Sequence, residues 1–288
     1  MVQNPVPEPE DWDMVIEARS PWFHLGLKEL WHYRDLLVLM VKRDFSAQYK
    51  QTVLGPVWHL LQPLLTTAMF LMLFTRIAKI PTDGINPVLF YLSGLTVWNY
   101  FAACLNGTAG TFVANAGIFG KVYFPRLVVP LAVVLSNVVR FLIQFAILLV
   151  AMAWFYFKGE TIFFGRVFLF LPFLLLLLAG IGLGLGLLIS SLTTKYRDFG
   201  VLVSFGVQLL LYATPIAYPL SYLEGSGLAG VIQLNPLSGI AEAFRYLLFG
   251  QGTISWGALA YSLGFMSLVL FTGLIVFNQV EKKFMDTV

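Results

Sequence analysis

The sequence predicts an all-α polytopic membrane protein with six transmembrane helices, an N-terminal amphipathic interface helix and outer re-entrant helices. Three observations lead there. Of 288 residues, 58% are hydrophobic and 11% charged, whereas soluble domains carry roughly 25% charged residues. Lipid is the solvent that such a composition fits. Six apolar stretches, 57–77, 88–111, 127–157, 167–192, 199–218 and 256–277, each approach or exceed the roughly 20 residues needed to cross a bilayer. Inside hydrocarbon every backbone polar group must pair internally, so these stretches are helical. The third observation is charge placement. With both termini inside, Arg19, Lys28, Arg34, Lys42, Arg43, Lys50, Lys121, Arg126, Lys195, Arg197, Lys282 and Lys283 face the cytoplasm. Only Arg76, Lys79, Lys158, Arg166 and Arg245 then face outward, the bias expected of a cytoplasmic-membrane protein.

In chain order, residues 1–24 read as a cytoplasmic tail. They are Pro-rich and acidic at the start, without the basic n-region and apolar run of a signal peptide. Residues 25–55 form the interface helix and the Leu-Gly loop that ends it. Leu27, Leu30, Trp31, Val38, Val41 and Phe45 fall at helical spacing and are expected to share an apolar face, with cations elsewhere. Such helices lie in the membrane surface. Gly55-Pro56 breaks the helix where the chain turns into the bilayer. Two roles fit: a surface anchor, or a cuff whose Arg34, Lys42, Arg43 and Lys50, with Leu54 and Gly55 beside them, handle an anionic lipid headgroup.

Residues 56–288 hold the six spans. In the fourth, Gly180/Gly184 and Gly182/Gly186 are G-x-x-x-G pairs that let helices approach closely. The fifth meets Pro215 and Pro219 at its end, and with Asn235-Pro236 these interrupt the pattern and leave pieces too short to cross. They are read as a re-entrant pair, which needs shelter by protein or a water-filled cavity. Glu242 and Arg245 are spaced i,i+3, as a local ion pair or part of a gate.

Several function classes drop out. No P-loop is present, and GIFGKVY at Gly117–Tyr123 has the wrong spacing. Arg140 is the only charge deep in a span, so a proton relay is disfavoured. No paired acids or nucleophile–base set supports an enzyme. Cys104 is the single cysteine, and His24, His32 and His59 lack ligand spacing, so no metal site is expected. The cations form no groove-sized patch for nucleic acid. Aromatic residues remain. Trp58, Phe70 and Phe74 in the first span, and Tyr212, Tyr218 and Tyr222 at the outer end of the fifth, suit interfacial belts or the apolar faces of sugar rings.

On these residues the chain resembles the membrane subunit of ABC-2 type exporters, the permeases of O-antigen, capsule and teichoic-acid transporters. WHYRDLLVLMVKRDFSAQYKQTVLGPVW (Trp31–Trp58) resembles that family's interface helix and Leu-Gly loop. ANAGIFGKVYFPR (Ala114–Arg126) resembles its coupling segment, and TTKYRDFG (Thr193–Gly200) its second cytoplasmic turn. NPLSGIAEAFRYLLFG (Asn235–Gly250) is similar to its outer re-entrant helices and VEKKFMD (Val280–Asp286) to its tail. The resemblance implies a homodimer with a translocation path between subunits, lined largely by spans one and five. It implies two copies of a nucleotide-binding ATPase subunit, which bind the ATP and Mg²⁺, so that this chain needs no cofactor of its own. These engage a segment that includes Asn115, Ile118, Phe119, Lys121 and Tyr123. It also implies an undecaprenyl-pyrophosphate-linked glycan, most simply O-antigen, taken from the inner leaflet of a bacterial inner membrane. Teichoic-acid, capsule or small-amphiphile export are the alternatives.

Overall fold

The computed structural model describes residues 27–49, 57–122, 124–160, 162, 164–196, 198–223, 225–252 and 254–284. Among them the structure is all helical. The order is α1 (Leu27–His32), α2 (Arg34–Tyr49), α3 (Val57–Phe70) with a π-helical continuation Leu71–Ile77, α4 (Pro87–Ala109) and α5 (Thr111–Phe119). Then come α6 (Val128–Tyr156), α7 (Phe164–Thr193), α8 (Phe199–Tyr212), a 3₁₀ turn Leu220–Leu223, α9 (Leu228–Gln233), α10 (Pro236–Phe249) and α11 (Trp256–Phe284). Five helices are long and apolar enough to cross a membrane: Leu60–Ile77, Pro87–Ala109, Val128–Tyr156, Val167–Thr193 and Trp256–Glu281.

The fifth expected span differs. Helix α8 has 14 residues, about 21 Å at 1.5 Å per residue, short of the roughly 30 Å of hydrocarbon. Its helix stops at Tyr212 because Pro215 and Pro219 supply no donors to continue it. The segment 213–219 continues as turns and bends.

Helix α4 is the centre, packed between α6 and α7, and α11 lies against α7. The close crossings depend on the expected glycines. A Cβ on Gly184 would sit 2.8 Å from the Leu270 nitrogen, and one on Gly273 would sit 2.7 Å from the Gly184 carbonyl oxygen. On the other side of α7, a Cβ on Gly182 would meet Cys104 at 2.9 Å and one on Gly186 would meet Thr108 at 2.5 Å. Small residues thus let backbones approach where lipid gives no hydrophobic drive to associate.

Two helices are set by their caps. Asn86 accepts a hydrogen bond from the Val88 amide ahead of Pro87. Asn235 does the same for Leu237 ahead of Pro236. Asn at the cap and Pro in the first turn are the favoured start of a helix. Gly250, at φ 69°, ends α10 in the left-handed conformation that glycine adopts without cost.

Contacts sort the loops into two ends. At one, the α5 end, the Arg126 guanidinium meets Glu281 and Phe112 stacks on Phe277. At the other, the α10 end, Asn86 donates to Glu160 and Ser221 donates to Asp83.

Candidate functional site

Two helices lie at the edge of the packed centre and turn one side outward. On α3 the side chains of Val57, Trp58, Leu60, Leu64, Leu65 and Met69 are exposed, and on α8 those of Val201, Leu202, Phe205 and Leu209. Val207 is the one buried residue described on α8. Within these apolar surfaces runs a polar line of which the sequence pointed only to Tyr212. Ser204, Gln208 and Tyr212 are all exposed and repeat every four residues, so they stack along one face of α8. Gln62 is likewise exposed on α3. The signal was available: polar residues at i,i+4 spacing inside an apolar span.

The aromatic residues singled out for this path divide. Trp58 is 49% exposed, Tyr212 51% and Tyr222 54%, so these three face outward from the chain. Phe70 is buried, its ring 5.1 Å from Phe74 and 6.1 Å from Tyr91 of α4. Phe74 is half-buried against the same group. Tyr218 is half-buried, and its hydroxyl donates to the Tyr212 carbonyl at 2.8 Å. The open face of α3 is therefore mostly aliphatic, with Leu64, Leu65, Met69, Met72 and Leu73 exposed.

The helix ahead of the first span uses its apolar residues differently from the expected single face. Met40 is buried, and Leu30, Leu36, Leu37 and Val41 pack on the core, where α2 lies along α6. Trp31, Val38, Leu39 and Phe45 are exposed. The long wall of α6 takes the densest apolar stripe and leaves the second one outside. Arg34 is exposed beside the Trp31 ring, 5.7 Å from its centre. Lys42 is exposed. Arg43 pairs with the adjacent Asp44 at 2.9 Å. Lys50, Leu54, Gly55 and, further on, Tyr123 lie outside the described residues.

At the α5 end the segment expected to meet an ATPase has two sides. Phe119 is 3% exposed, packed with Phe112 at 6.1 Å and Phe124 at 5.8 Å, and Phe112 stacks on Phe277 at 4.5 Å. The Arg126 guanidinium covers Phe119 at 5.4 Å and donates to the Glu281 carbonyl at 2.9 Å. Burial pulls this guanidinium below its ordinary pKa, and the Glu281 carboxylate acts in the opposite sense. Asn115 is half-buried and donates to the Thr111 carbonyl at 2.9 Å. Facing away are Val113, Ile118, Val122 and Lys121, all exposed. The aromatic side fixes α5 to α11 and leaves an apolar face with one cation.

At the α10 end sits Arg245, 1% exposed. It donates to the Ile216 carbonyl at 2.9 Å and to Glu242 at 3.3 Å, and it lies 3.8 Å from the centre of the Phe90 ring. A cation over a ring in a dry site contributes about 2 kcal/mol. Gly94 makes the room, since a Cβ there would meet the guanidinium at 2.8 Å. Glu242 also accepts from the Leu220 amide at 3.3 Å. Nearby, Asn235 donates to the Ala213 carbonyl at 3.0 Å and to the Thr214 hydroxyl at 2.8 Å. The pair is thus i,i+3 and local, and it also holds a distant strand of backbone.

A family model described as "ABC-2 type transporter" matches residues 35–249. Two Klebsiella pneumoniae proteins named O-antigen export system permease protein RfbA are 28% and 27% identical, each over 88% of this chain and 94% of their own length. A protein of that name from Myxococcus xanthus is 29% identical over 77% of this chain and 84% of its own.

Proposed function

Because this chain belongs to the ABC-2 type transporter family, we propose that it is the membrane-spanning permease of an ATP-driven exporter that moves a lipid-linked polysaccharide, O-antigen, across a bacterial inner membrane. The observation that carries the reading is the uncovered pair α3 and α8. Both present open apolar surfaces, and α8 bears a line of Ser204, Gln208 and Tyr212. A glycan needs hydrogen-bonding groups spaced along a surface that does not grip it, and that line supplies them. Two chains related by a twofold axis would place α3 and α8 of each around one path. The segment 213–219 extends α8 to a sixth crossing.

The rest of the reading follows from position. The α5 end is cytoplasmic, with both termini there. Two ATPase subunits dock on the Val113, Ile118, Lys121 and Val122 face. They bind ATP and Mg²⁺, and this chain performs no hydrolysis. The undecaprenyl pyrophosphate of the substrate meets Arg34, Lys42, Arg43 and Lys50 at headgroup depth, where guanidinium and ammonium groups form charge-assisted bonds to phosphate.

Single cysteines at Ser204 and Gln208, in a Cys104→Ala background, test the path. Modification with a bulky maleimide in cells should stop polysaccharide from reaching the surface, while a methyl-sized reagent leaves export running. Full export after complete bulky modification would overturn the reading.

A further inference from the structure

We propose that Arg245 is a positioning residue that ties the α10-end termini of α3 and α8 to one fixed point, so that these two helices part only at their α5 ends. The proposal rests on the reading of α3 and α8 as path-lining.

Four contacts converge on the segment that leaves α8, three of them on its backbone. Asn235 holds Ala213 and Thr214. Arg245 holds the Ile216 carbonyl, and Glu242 the Leu220 amide. Ser221 then donates to both carboxylate oxygens of Asp83, at 2.7 and 2.6 Å. Asp83 belongs to the loop that leaves the first span, where its φ of 52° and the 53° of Lys79 are held in a region side chains disfavour. The same span is tied to the centre by Thr75, whose hydroxyl lies 3.1 Å from that of Tyr91. Tyr91 is next to Phe90, the ring that carries the Arg245 guanidinium. Glu242 and Asp83 both bring negative charge to Arg245. Arg245 therefore sits where the ends of both helices and the fixed helix α4 meet.

Below this point each helix has a break. Helix α3 ends at Phe70 and continues as the π-helix Leu71–Ile77. Widened turns of this kind are rare and frequent at functional sites, and they interrupt the regular i→i−4 ladder of the helix. Helix α8 ends at Tyr212, just before Pro215. Beyond the breaks, towards α5, each helix is held on one side only: α3 rests on α4 and α6, and α8 on α7 and α4, while Leu60, Leu64, Val201 and Leu202 stand open. Firm ends, soft joints and lower parts held on one side make two levers on one pivot.

Spin labels on the assembled exporter with its ATPase, in nanodiscs and in a Cys104→Ala background, test this. Labelled chains are diluted in unlabelled ones so that only distances within a chain are read by pulsed dipolar EPR. The pair Leu60→Cys and Val201→Cys reports the α5 end, and Ile77→Cys with Tyr222→Cys reports the α10 end. Trapping with ATP should shift the first pair by about 5 Å or more, one helical turn. The second pair should stay within the roughly 1–2 Å of an ordinary helix adjustment. Arg245→Gln should broaden the second pair's distribution in both nucleotide states. A second pair that moves as far as the first, a first pair that stays still, or an unbroadened Arg245→Gln distribution overturns the proposal. Should Arg245→Gln fail to assemble, Ser221→Ala removes only an exposed hydroxyl and must broaden the second pair as well; an unchanged distribution there overturns the proposal too. Failure of the path reading is separate: it shows as export that survives bulky modification at Ser204 and Gln208, whatever the distances do.

Discussion

The most apolar 18-residue stretches of the Leu60–Ile77 and Pro87–Ala109 helices have the same mean hydropathy, 1.5, yet 17% of the first stretch and 78% of the second is buried within the chain. Hydropathy measures how readily a helix leaves water and says nothing about what covers it. In a bilayer, lipid and protein are equally good apolar surroundings, so packing shape decides. Helix α4 has Gly94 opposite Arg245 and lies against Gly182 and Gly186 of α7. Helix α3 carries an internal Pro63 and then a π-helix, and its aliphatic side chains stand open. A helix left open within one chain is where something else can sit: lipid, a second copy, or cargo.

The sharpest way to break this comparison is a matched pair of substitutions. Leu95 on α4 is 1% exposed and Leu65 on α3 is 55% exposed. Leu95→Ala should lower unfolding stability by about 2–5 kcal/mol, the range for a buried leucine whose cavity cannot close. Leu65→Ala should stay within about 0.5 kcal/mol, as surface changes do. Thermal unfolding of the two variants in the same detergent measures both. Equal losses would mean that α3 is covered in the free chain and that the two helices do not differ in kind.

A good part of this was legible in the sequence, for reasons that differ by region. The spans at Pro87–Ala109, Val128–Tyr156 and Trp256–Glu281 were readable because length and apolarity alone define a crossing. The glycine contacts of α7 were readable from G-x-x-x-G spacing. What failed to show was facing. Phe70 and Trp58 look alike in sequence, but Phe70 turns to Tyr91 and Trp58 turns outward. Periodicity gives the relative phase of residues on a helix, never which phase a neighbour will choose. The same limit explains α2, where α6 took the Leu36, Leu37, Met40 and Val41 stripe and left Trp31, Val38 and Phe45 outside. The Arg245 contacts to Ile216 and Phe90 join residues far apart in the chain, and no local pattern announces them.

A smaller effect should sharpen the comparison at the α5 end, where one short helix has a fixed side and an open side. Arg126, 7% exposed, holds Glu281 and covers Phe119. Arg126→Gln removes a charge-assisted hydrogen bond of about 1.5–3 kcal/mol, which should loosen α5 from α11 without unfolding the centre. Hydrogen exchange at the amides of Ile118 and Phe119 should then rise by about tenfold or more, while that of α4 stays constant. Uniform acceleration across both helices would show that the two regions unfold as one.

The smallest predicted effect concerns the exposed cations of α2, which the comparison places on an open face. Lys42 and Arg43 are neighbours in sequence and both exposed, but they are not equivalent. Arg43 has Asp44 at 2.9 Å, and no ion pair of Lys42 occurs among the described residues. An exposed pair such as Arg43–Asp44 adds little stability, at most about 1 kcal/mol. Its consequence for a ligand is larger, because a phosphate approaching Arg43 also approaches a carboxylate. A cation at the membrane surface contributes about 1 kcal/mol of attraction to anionic headgroups, so Lys42→Gln should weaken binding about fivefold. Arg43→Gln should weaken it less, since part of that charge is already compensated. Asp44→Asn should strengthen binding through Arg43 and leave the Lys42 contribution intact. Binding of the purified permease to vesicles carrying a polyprenyl pyrophosphate, against vesicles with the same charge supplied by phosphatidylglycerol, measures all three. A pyrophosphate-selective loss in Lys42→Gln supports headgroup capture by this face. An equal loss on both vesicles makes α2 a surface anchor and removes Arg34, Lys42 and Arg43 from the substrate site.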